Sequence, residues 1–133
     1  MAVPDRPAIE NLLEAREVHS ADELETQFVE FKPWQGSKEG LRVACEYAAC
    51  LANAAGGIVV FGVSDKQRGR RQAIHGAEGY DPDVFRKGIY AGTTPGVDAE
   101  VFEILVAEGT GRLLVVRVTE GERPRIQARA CAR

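Results

Sequence analysis

The chain has 133 residues, of which 44% are hydrophobic and 28% are charged, the size and composition of one soluble globular domain. Three cysteines without CxxC spacing and only two histidines exclude a disulfide framework, a zinc cluster and a His-rich metal site. No apolar run approaches the roughly 20 residues of a membrane span, and the N-terminus lacks the apolar segment of a signal peptide. We therefore expect a cytoplasmic protein, and the net charge of −3 gives no support to strong nonspecific DNA binding by the chain as a whole.

The N-terminal part of the chain predicts a helix, a strand and a second helix. Residues 7–18 place apolar side chains at helical spacing behind a proline that suits a helix start. Residues 27–32, QFVEFK, have the pattern of a strand, and the PWQG segment that follows predicts a loop. Ser37 is the predicted N-cap of the second helix, which extends to about Ala54.

A glycine pair, Gly56 and Gly57, ends this helix and permits a turn with positive φ into the apolar run IVVF, residues 58–61. Because the run is apolar on both faces, it predicts a central strand that is covered on both sides. The basic stretch KQRGRR follows as a predicted loop, and residues 72–77, QAIHGA, predict a short strand.

The C-terminal part predicts a helix and a hairpin. Asp81 as N-cap and Pro82 at the first helical position begin a helix that runs to about Tyr90. Residues 101–107 and 112–118 are predicted strands on either side of the turn EGTG. The segment RIQARA predicts a last short strand.

The order of these elements predicts an α+β (mixed α/β) fold. We expect a single domain with a mixed β-sheet, flanked by two or three helices and carrying a C-terminal β-hairpin. Residues 1–21 form an N-terminal helix and linker, and residues 22–133 form the main domain. Because the chain stops directly after a strand pattern, we also expect it to be a module of a longer protein.

One nucleotide-binding motif is excluded. Gly57 and Gly62 are spaced like the glycines of a Walker A loop, but Val63 and Ser64 stand where that loop needs Gly-Lys-Ser/Thr. These glycines bracket a hydrophobic strand, so we predict no P-loop nucleotide site.

The acidic residues give the first indication of a site. Glu30 and Lys32, two residues apart on a strand, project from the same face; this pattern suits either a metal-dependent nuclease or an ordinary ion pair. Asp65 follows the central strand, where sites form in open α/β sheets, although an Asp there can equally cap a turn. Glu25 reaches the face of Glu30 only if the strand begins after it or contains a bulge.

A basic segment follows Asp65 and contains Lys66, Arg68, Arg70 and Arg71. Arginine suits bidentate contact with phosphate, so a basic segment beside acids favours a phosphodiester ligand; a solvated loop is the alternative. Trp34 and Tyr80 either stack on bases or pack in the core.

Four motifs in this order resemble the Schlafen AlbA-like domain. They are Glu25-xxxx-Glu30-Phe-Lys32, Asn53-xx-Gly56-Gly57, Phe61-Gly62-Val63-x-Asp65 and Ile74-x-Gly76. The resemblance covers roughly residues 22–127. The segment RIQARACAR departs from the Tyr-x-Arg-x-Gly pattern that the family tends to have there.

The resemblance implies a function connected with nucleic acid. In bacterial regulators such a domain is named as a candidate DNA-binding module, and animal Schlafen proteins cleave transfer and ribosomal RNA with a metal-binding acidic triad. By motif, the triad falls on Glu25, Glu30 and Asp65, with Lys32 following. The animal enzymes pair two such modules, so the resemblance also implies a homodimer.

Three hypotheses stay open. The first is a DNA- or RNA-binding module whose phosphate contacts are Lys32, Lys66, Arg68, Arg70, Arg71, Arg123 and Arg125. The second is a metal-dependent endoribonuclease with catalytic residues Glu25, Glu30, Lys32 and Asp65, in which Mg²⁺ or Mn²⁺ is held by Glu25, Glu30 and Asp65. The third is a nucleotide-sensing or oligomerisation domain, in which the hairpin leaves an open edge strand.

Overall fold

The computed structural model describes residues 5–15, 29–64 and 69–119, and the backbone of residues 127–128. The elements in these ranges are α1 (Arg6–Ala15), β1 (Val29–Lys32), α2 (Ser37–Asn53), β2 (Gly57–Phe61), α3 (Arg70–Ala73), α4 (Pro82–Gly92), β3 (Thr93–Thr94), β4 (Glu100–Leu105), β5 (Arg112–Val118) and β6 (Gln127–Ala128). The predicted α+β fold with a mixed sheet is confirmed.

The main sheet has four strands in the order β1–β2–β5–β4. β1 runs parallel to β2, whereas β5 is antiparallel to both of its neighbours. β2 therefore has a strand on each side, and all of its residues are buried, as the apolar run IVVF predicts. β4 and β5 form the predicted hairpin, and the short strands β3 and β6 pair separately.

Helices cover both faces of the sheet. α2 and α4 pack on the face that carries Val59 and Phe61, and α1 packs on the opposite face, which carries Ile58. Alternate residues of β2 thus enter two different cores. On the α1 side the helix contributes Ile9 and Leu13, both fully buried. This three-layer arrangement explains why the central strand needs apolar side chains on both faces.

The structure tests the predicted N-caps of α2 and α4. The predicted N-cap Ser37 is wrong by one residue: Gly36, with φ +97°, caps α2, and no side chain caps that end. A glycine is favoured there because an L side chain rarely adopts this φ. Asp81 is confirmed as the N-cap of α4, since its carboxylate accepts hydrogen bonds from the amides of Asp83 (2.9 Å) and Val84 (3.3 Å).

Two further expectations are corrected. The predicted strand at residues 72–77 is wrong, because Arg70–Ala73 is a single helical turn and only Ile74 forms an isolated bridge, with Val63. Arg70 and Arg71, which the sequence predicts in a loop, therefore lie in a helical turn. Of the two cysteines of α2, Cys45 is buried and Cys50 is exposed.

Candidate nucleic-acid interface

The carboxyl ends of β1 and β2 meet at one edge of the sheet. The two strands are parallel and in register, so that Lys32 at the end of β1 lies opposite Phe61 at the end of β2. The carbonyl of Lys32 then accepts hydrogen bonds from the amides of Gly62 (2.8 Å) and Val63 (3.2 Å). Ser64 is the last described residue before Asp65, so the chain leaves β2 at the edge where the sequence predicts an acidic site.

The chain returns to the same edge at α3. The amide of Ser64 donates to the carbonyl of Ala73 at 2.7 Å, and Val63 bridges to Ile74. Residues 63–64 and 73–74 are therefore joined to one another at the exit of β2.

Glu30 and Lys32 share one face of β1, whose alternation buries Val29 and Phe31 on the other face. The Nζ atom of Lys32 lies 3.8 Å from Oε2 of Glu30, and each of the two side chains is 29% exposed. This is a long ion pair, and both of its side chains are partly exposed to solvent. The catalytic and binding roles of both residues remain predictions.

The structure adds Tyr47 of α2 to this pair. The Lys32 ammonium lies 5.3 Å from the centroid of the Tyr47 ring, within the range of a cation–π interaction. Tyr47 also packs against the core between the sheet and α2. No local sequence signal predicts this contact, because it depends on how α2 packs on the sheet.

Arg70 has a different environment from the one predicted for a phosphate contact. Its Nε and Nη2 atoms donate to the two carboxylate oxygens of Glu108, at 2.9 and 3.3 Å, and Nη1 donates to Glu14 at 3.3 Å. The side chains of Arg70 and Glu108 are only 17% and 19% exposed. The hydrogen bonds from Arg70 hold the pKa of Glu108 below its ordinary value, although burial opposes this shift.

Arg71, the next residue, is exposed and makes no ion pair with any other residue in the described ranges. Most other described arginines are already engaged by carboxylates: Arg42, Arg86, Arg112 and Arg117. Among the described residues, positive charge that is available to an anionic ligand is therefore scarce, and Arg71 is one of its few sources.

Six predicted site residues lie outside the described residues: Glu25, Asp65, Lys66, Arg68, Arg123 and Arg125. Of the predicted metal ligands, Glu30 alone is described, and the described ranges contain no group of three His, Cys, Asp or Glu side chains that could hold a metal ion. The carboxylate of Glu30 is the type of oxygen donor that Mg²⁺ and Mn²⁺ prefer, so the described part of the predicted site fits such an ion.

Trp34 and Tyr80 pack against one another instead of projecting as a base-stacking pair. Their ring centroids are 5.5 Å apart in an edge-to-face arrangement, and the indole Nε1 donates to the carbonyl of Glu78 at 2.7 Å. The hydroxyl of Tyr80 donates to Glu103 at 2.6 Å; burial and this carboxylate raise the pKa of Tyr80 above its usual range. The structure thus favours the packing role of both residues.

Comparison with known proteins agrees with this architecture. Residues 25–131 match the family model described as Schlafen, AlbA_2. The crystal structure of the DIP2311 protein from Corynebacterium diphtheriae is similar, with a TM-score of 0.68 and 26% identity over 90% of this chain and 22% of that one. The chain therefore spans about a fifth of the length of that protein.

A second solved structure matches most of its own length. It is the N-terminal domain of a protein from Nitrosomonas europaea that is related to the ATP-dependent DNA helicase RecG, with a TM-score of 0.51 and 25% identity over 81% of this chain and 80% of that one. No curated protein matches the sequence significantly. Within the described residues, no helix has both the length and the apolar character needed to cross a membrane.

Proposed function

Because the chain belongs to the Schlafen AlbA_2 family, we propose that it is a nucleic-acid-binding module whose cations contact phosphates at the carboxyl ends of β1 and β2. The observation that carries this proposal is the meeting of Lys32, the exit of β2 and the C-terminal end of α3 at one edge of the sheet. The name of the Nitrosomonas relative, which refers to a DNA helicase, supports a role connected with nucleic acid.

The charges at this edge determine how such a module binds. Lys32 and Arg71 are accessible, and Lys66 and Arg68 belong to the segment between them in the chain. Phosphate contacts by Lys and Arg give affinity with little sequence specificity, and this affinity falls as salt rises. Since the whole chain carries a net charge of −3, we expect moderate binding that depends on this local edge. We propose that the module belongs to a cytoplasmic regulatory protein that is either longer than this chain or oligomeric.

The test is a binding titration with fluorescent single-stranded RNA, transfer RNA and duplex DNA across a salt series. Replacing one phosphate-contacting cation lowers the slope of log K against log salt by about 0.9 for duplex DNA. We expect this for Arg71→Ala and for Lys32→Ala. Lys87→Ala is the matched control, because Lys87 is exposed on α4 and pairs with Asp83. Undetectable affinity for all three nucleic acids at low salt would overturn the proposal.

A second candidate, a metal-dependent endoribonuclease, is favoured by the pairing of Glu30 with Lys32 on one strand face. Glu30 would hold Mg²⁺ or Mn²⁺ together with Glu25 and Asp65, and Lys32 would stabilise negative charge on the phosphate. When bound, the ion supplies an activated water and positive charge opposite the scissile phosphate.

The nuclease is tested by incubating transfer RNA with the protein and Mn²⁺ and examining the RNA on a denaturing gel. We expect cleavage that EDTA abolishes and that Glu30→Gln and Asp65→Ala reduce strongly. Calorimetric titration of Mn²⁺ into the same proteins measures metal binding independently of cleavage. Intact RNA, or an Asp65→Ala protein as active as the wild type, would contradict this candidate.

The edge position of β4 favours the third hypothesis, oligomerisation. β4 ends the strand order of the main sheet, and Leu105 at its end is 77% exposed. Sedimentation velocity tests this: a dimer that Leu105→Lys dissociates and that Val84→Lys, at an exposed position on α4, leaves intact would support pairing through β4. A wild-type monomer would exclude it.

A further inference from the structure

Another polar residue, His75, lies at the edge of the sheet where β1 and β2 end. A row of backbone hydrogen bonds leads to it from Lys32. The carbonyl of Lys32 accepts from the amide of Gly62 at 2.8 Å, and the carbonyl of Gly62 accepts from the amide of His75 at 2.9 Å. Because chains that are hydrogen-bonded in this way lie about 4.8 Å apart, the backbones of Lys32 and His75 are about 10 Å apart. One strand of nucleic acid can therefore reach both side chains.

The imidazole of His75 faces the same side of the sheet as Lys32. Ile74, the preceding residue, has an extended backbone with φ −90° and ψ 106°, and its side chain is buried in the core that α1 covers. Successive side chains of an extended chain point to opposite sides, so His75 points away from that core. On β1, Val29 and Phe31 enter the same core, and Lys32 therefore points away from it too.

The backbone of His75 is held on both sides, while its side chain is exposed. Its carbonyl accepts a hydrogen bond from the amide of Thr110 at 3.0 Å, opposite the bond to Gly62. Gly62 and Gly76 approach so closely that a Cβ atom on Gly62 would lie 2.8 Å from the carbonyl carbon of Gly76. The imidazole forms no hydrogen bond or ion pair with another residue in the described ranges. A fixed backbone thus presents a polar ring to solvent, which lowers the entropy lost when a ligand binds.

The chemistry of imidazole suits the ligand that is proposed for this edge. A neutral imidazole carries one N–H donor, and a protonated imidazole carries two N–H donors and a positive charge. Either form donates a hydrogen bond to a phosphate oxygen. A hydrogen bond to an ionised acceptor is about twice as strong as a hydrogen bond between neutral groups.

We propose that His75 is a further contact for nucleic acid, and that its imidazole N–H donates to a phosphate oxygen of the same strand that Lys32 contacts. This inference deepens the proposed function and rests on it. No local signal in the sequence indicates this role, because the hydrogen bonds through Gly62 bring His75 close to the end of β1 only in the folded chain.

Substitution of His75 separates a phosphate contact from an ordinary exposed side chain. In the titration with fluorescent transfer RNA and duplex DNA, we expect His75→Ala to weaken binding about tenfold, the loss of one hydrogen bond to a charged acceptor. Tyr90→Ala is the matched control, because Tyr90 is an aromatic residue in the last turn of α4 and is 56% exposed. Equal affinity of His75→Ala and the wild type would overturn the proposal.

Two further variants at this position test the chemistry of the contact. His75→Gln keeps an N–H donor without the ring, so we expect it to retain most of the affinity. His75→Phe keeps a ring without a donor, so we expect it to bind as weakly as His75→Ala. The reverse order, with His75→Phe tight and His75→Gln weak, would mean that the ring stacks on a base, and would overturn the proposed hydrogen bond to phosphate.

Chemical modification tests the contact in the unchanged protein. Diethyl pyrocarbonate modifies exposed imidazole rings, and mass spectrometry measures the rate at His75. We expect ready modification of the protein alone, because His75 is exposed, and several-fold slower modification with saturating transfer RNA or duplex DNA. Equal rates with and without bound nucleic acid would overturn the proposal.

These experiments distinguish failure of this inference from failure of the proposed function. If the proposed function fails, the wild type binds none of the nucleic acids, and the contact at His75 fails with it. If only the inference fails, the wild type binds and Lys32→Ala weakens binding, whereas His75→Ala has the affinity of the wild type.

Discussion

The Glu30–Lys32 and Arg70–Glu108 pairs are built differently. Glu30 and Lys32 are neighbours on one face of β1, with their charged atoms 3.8 Å apart. Arg70 and Glu108 are 38 residues apart in the chain and meet through two hydrogen bonds of 2.9 and 3.3 Å, with less exposure to solvent. The first pair is local and loose, and the second is long-range and closely held.

This difference indicates which charges are available for function. The contact between Glu30 and Lys32 is longer and more exposed than that between Arg70 and Glu108, so it contributes less to folding. A two-point pair removed from water connects parts of the fold, and breaking it leaves a desolvated charge. Arginines in the basic segment are therefore not equivalent, although the sequence presents them as one run.

We expect the largest effect on stability at Gly109, in the turn between β4 and β5 that carries Glu108. Gly109→Ala introduces a Cβ atom 2.1 Å from the His75 carbonyl at a φ of +59°, so the turn must move; we expect a loss of about 3 kcal/mol. Gly79→Ala is the control, because Gly79 has a φ of +72° but nothing within 4 Å of the added atom. Urea denaturation measures the free energy of unfolding of both variants. Equal losses would show that the positive φ, and not the contact with His75, causes the destabilisation.

The next largest effect is the loss of the tight pair itself. Glu108→Gln should lower the free energy of unfolding by about 2 kcal/mol, because a mostly buried guanidinium loses its charged partner. Glu30→Gln should change it by about 0.5 kcal/mol or less, as is usual for accessible pairs. Urea denaturation at pH 7 compares them, and a larger loss in Glu30→Gln would reverse the assignment of structural and available charges.

The dependence of stability on pH should also reflect the Arg70–Glu108 pair. The pKa of Glu108 is lowered in the folded state by Arg70, so its contribution is fully present above the unfolded pKa of about 4.3. It is lost as the pH falls through the lowered folded pKa, because protonation removes the charge that Arg70 binds. The stability difference between the wild type and Glu108→Gln should therefore shrink on acidification from pH 5 towards pH 3. Urea titrations at several pH values measure it, and a constant difference would contradict this origin.

The sequence predicts those parts of the fold whose signals are local. Asp81 and Pro82 mark a helix start by their own chemistry, and the IVVF run predicts a buried central strand from its apolar residues alone. The single turn Arg70–Ala73 has no such signal, because bonds to Ser64 and Glu108 determine it from elsewhere in the chain.

The candidate site divides in the same way. The shared face of Glu30 and Lys32 follows from strand alternation and needs no tertiary information. The sequence does not predict Tyr47 as a partner of Lys32 or Glu108 as a partner of Arg70, because each lies in a distant part of the chain that meets its partner only in the folded protein. A sequence pattern of charges thus predicts where a site is, but the pairing that makes a charge available or unavailable depends on the fold.

The smallest expected effect concerns Tyr47, which modifies the loose pair. Tyr47→Leu removes the ring beneath the Lys32 ammonium but keeps an apolar side chain, whereas Tyr47→Phe retains an aromatic face. A double-mutant cycle of Tyr47→Leu with Lys32→Met should give a coupling energy of about 0.5 kcal/mol, typical of an accessible cation–π contact, and Tyr47→Phe should retain most of it. A coupling near zero would mean that the ring does not hold the ammonium. Lys32 would then be still more accessible to phosphate, and the contrast with Arg70 would become sharper.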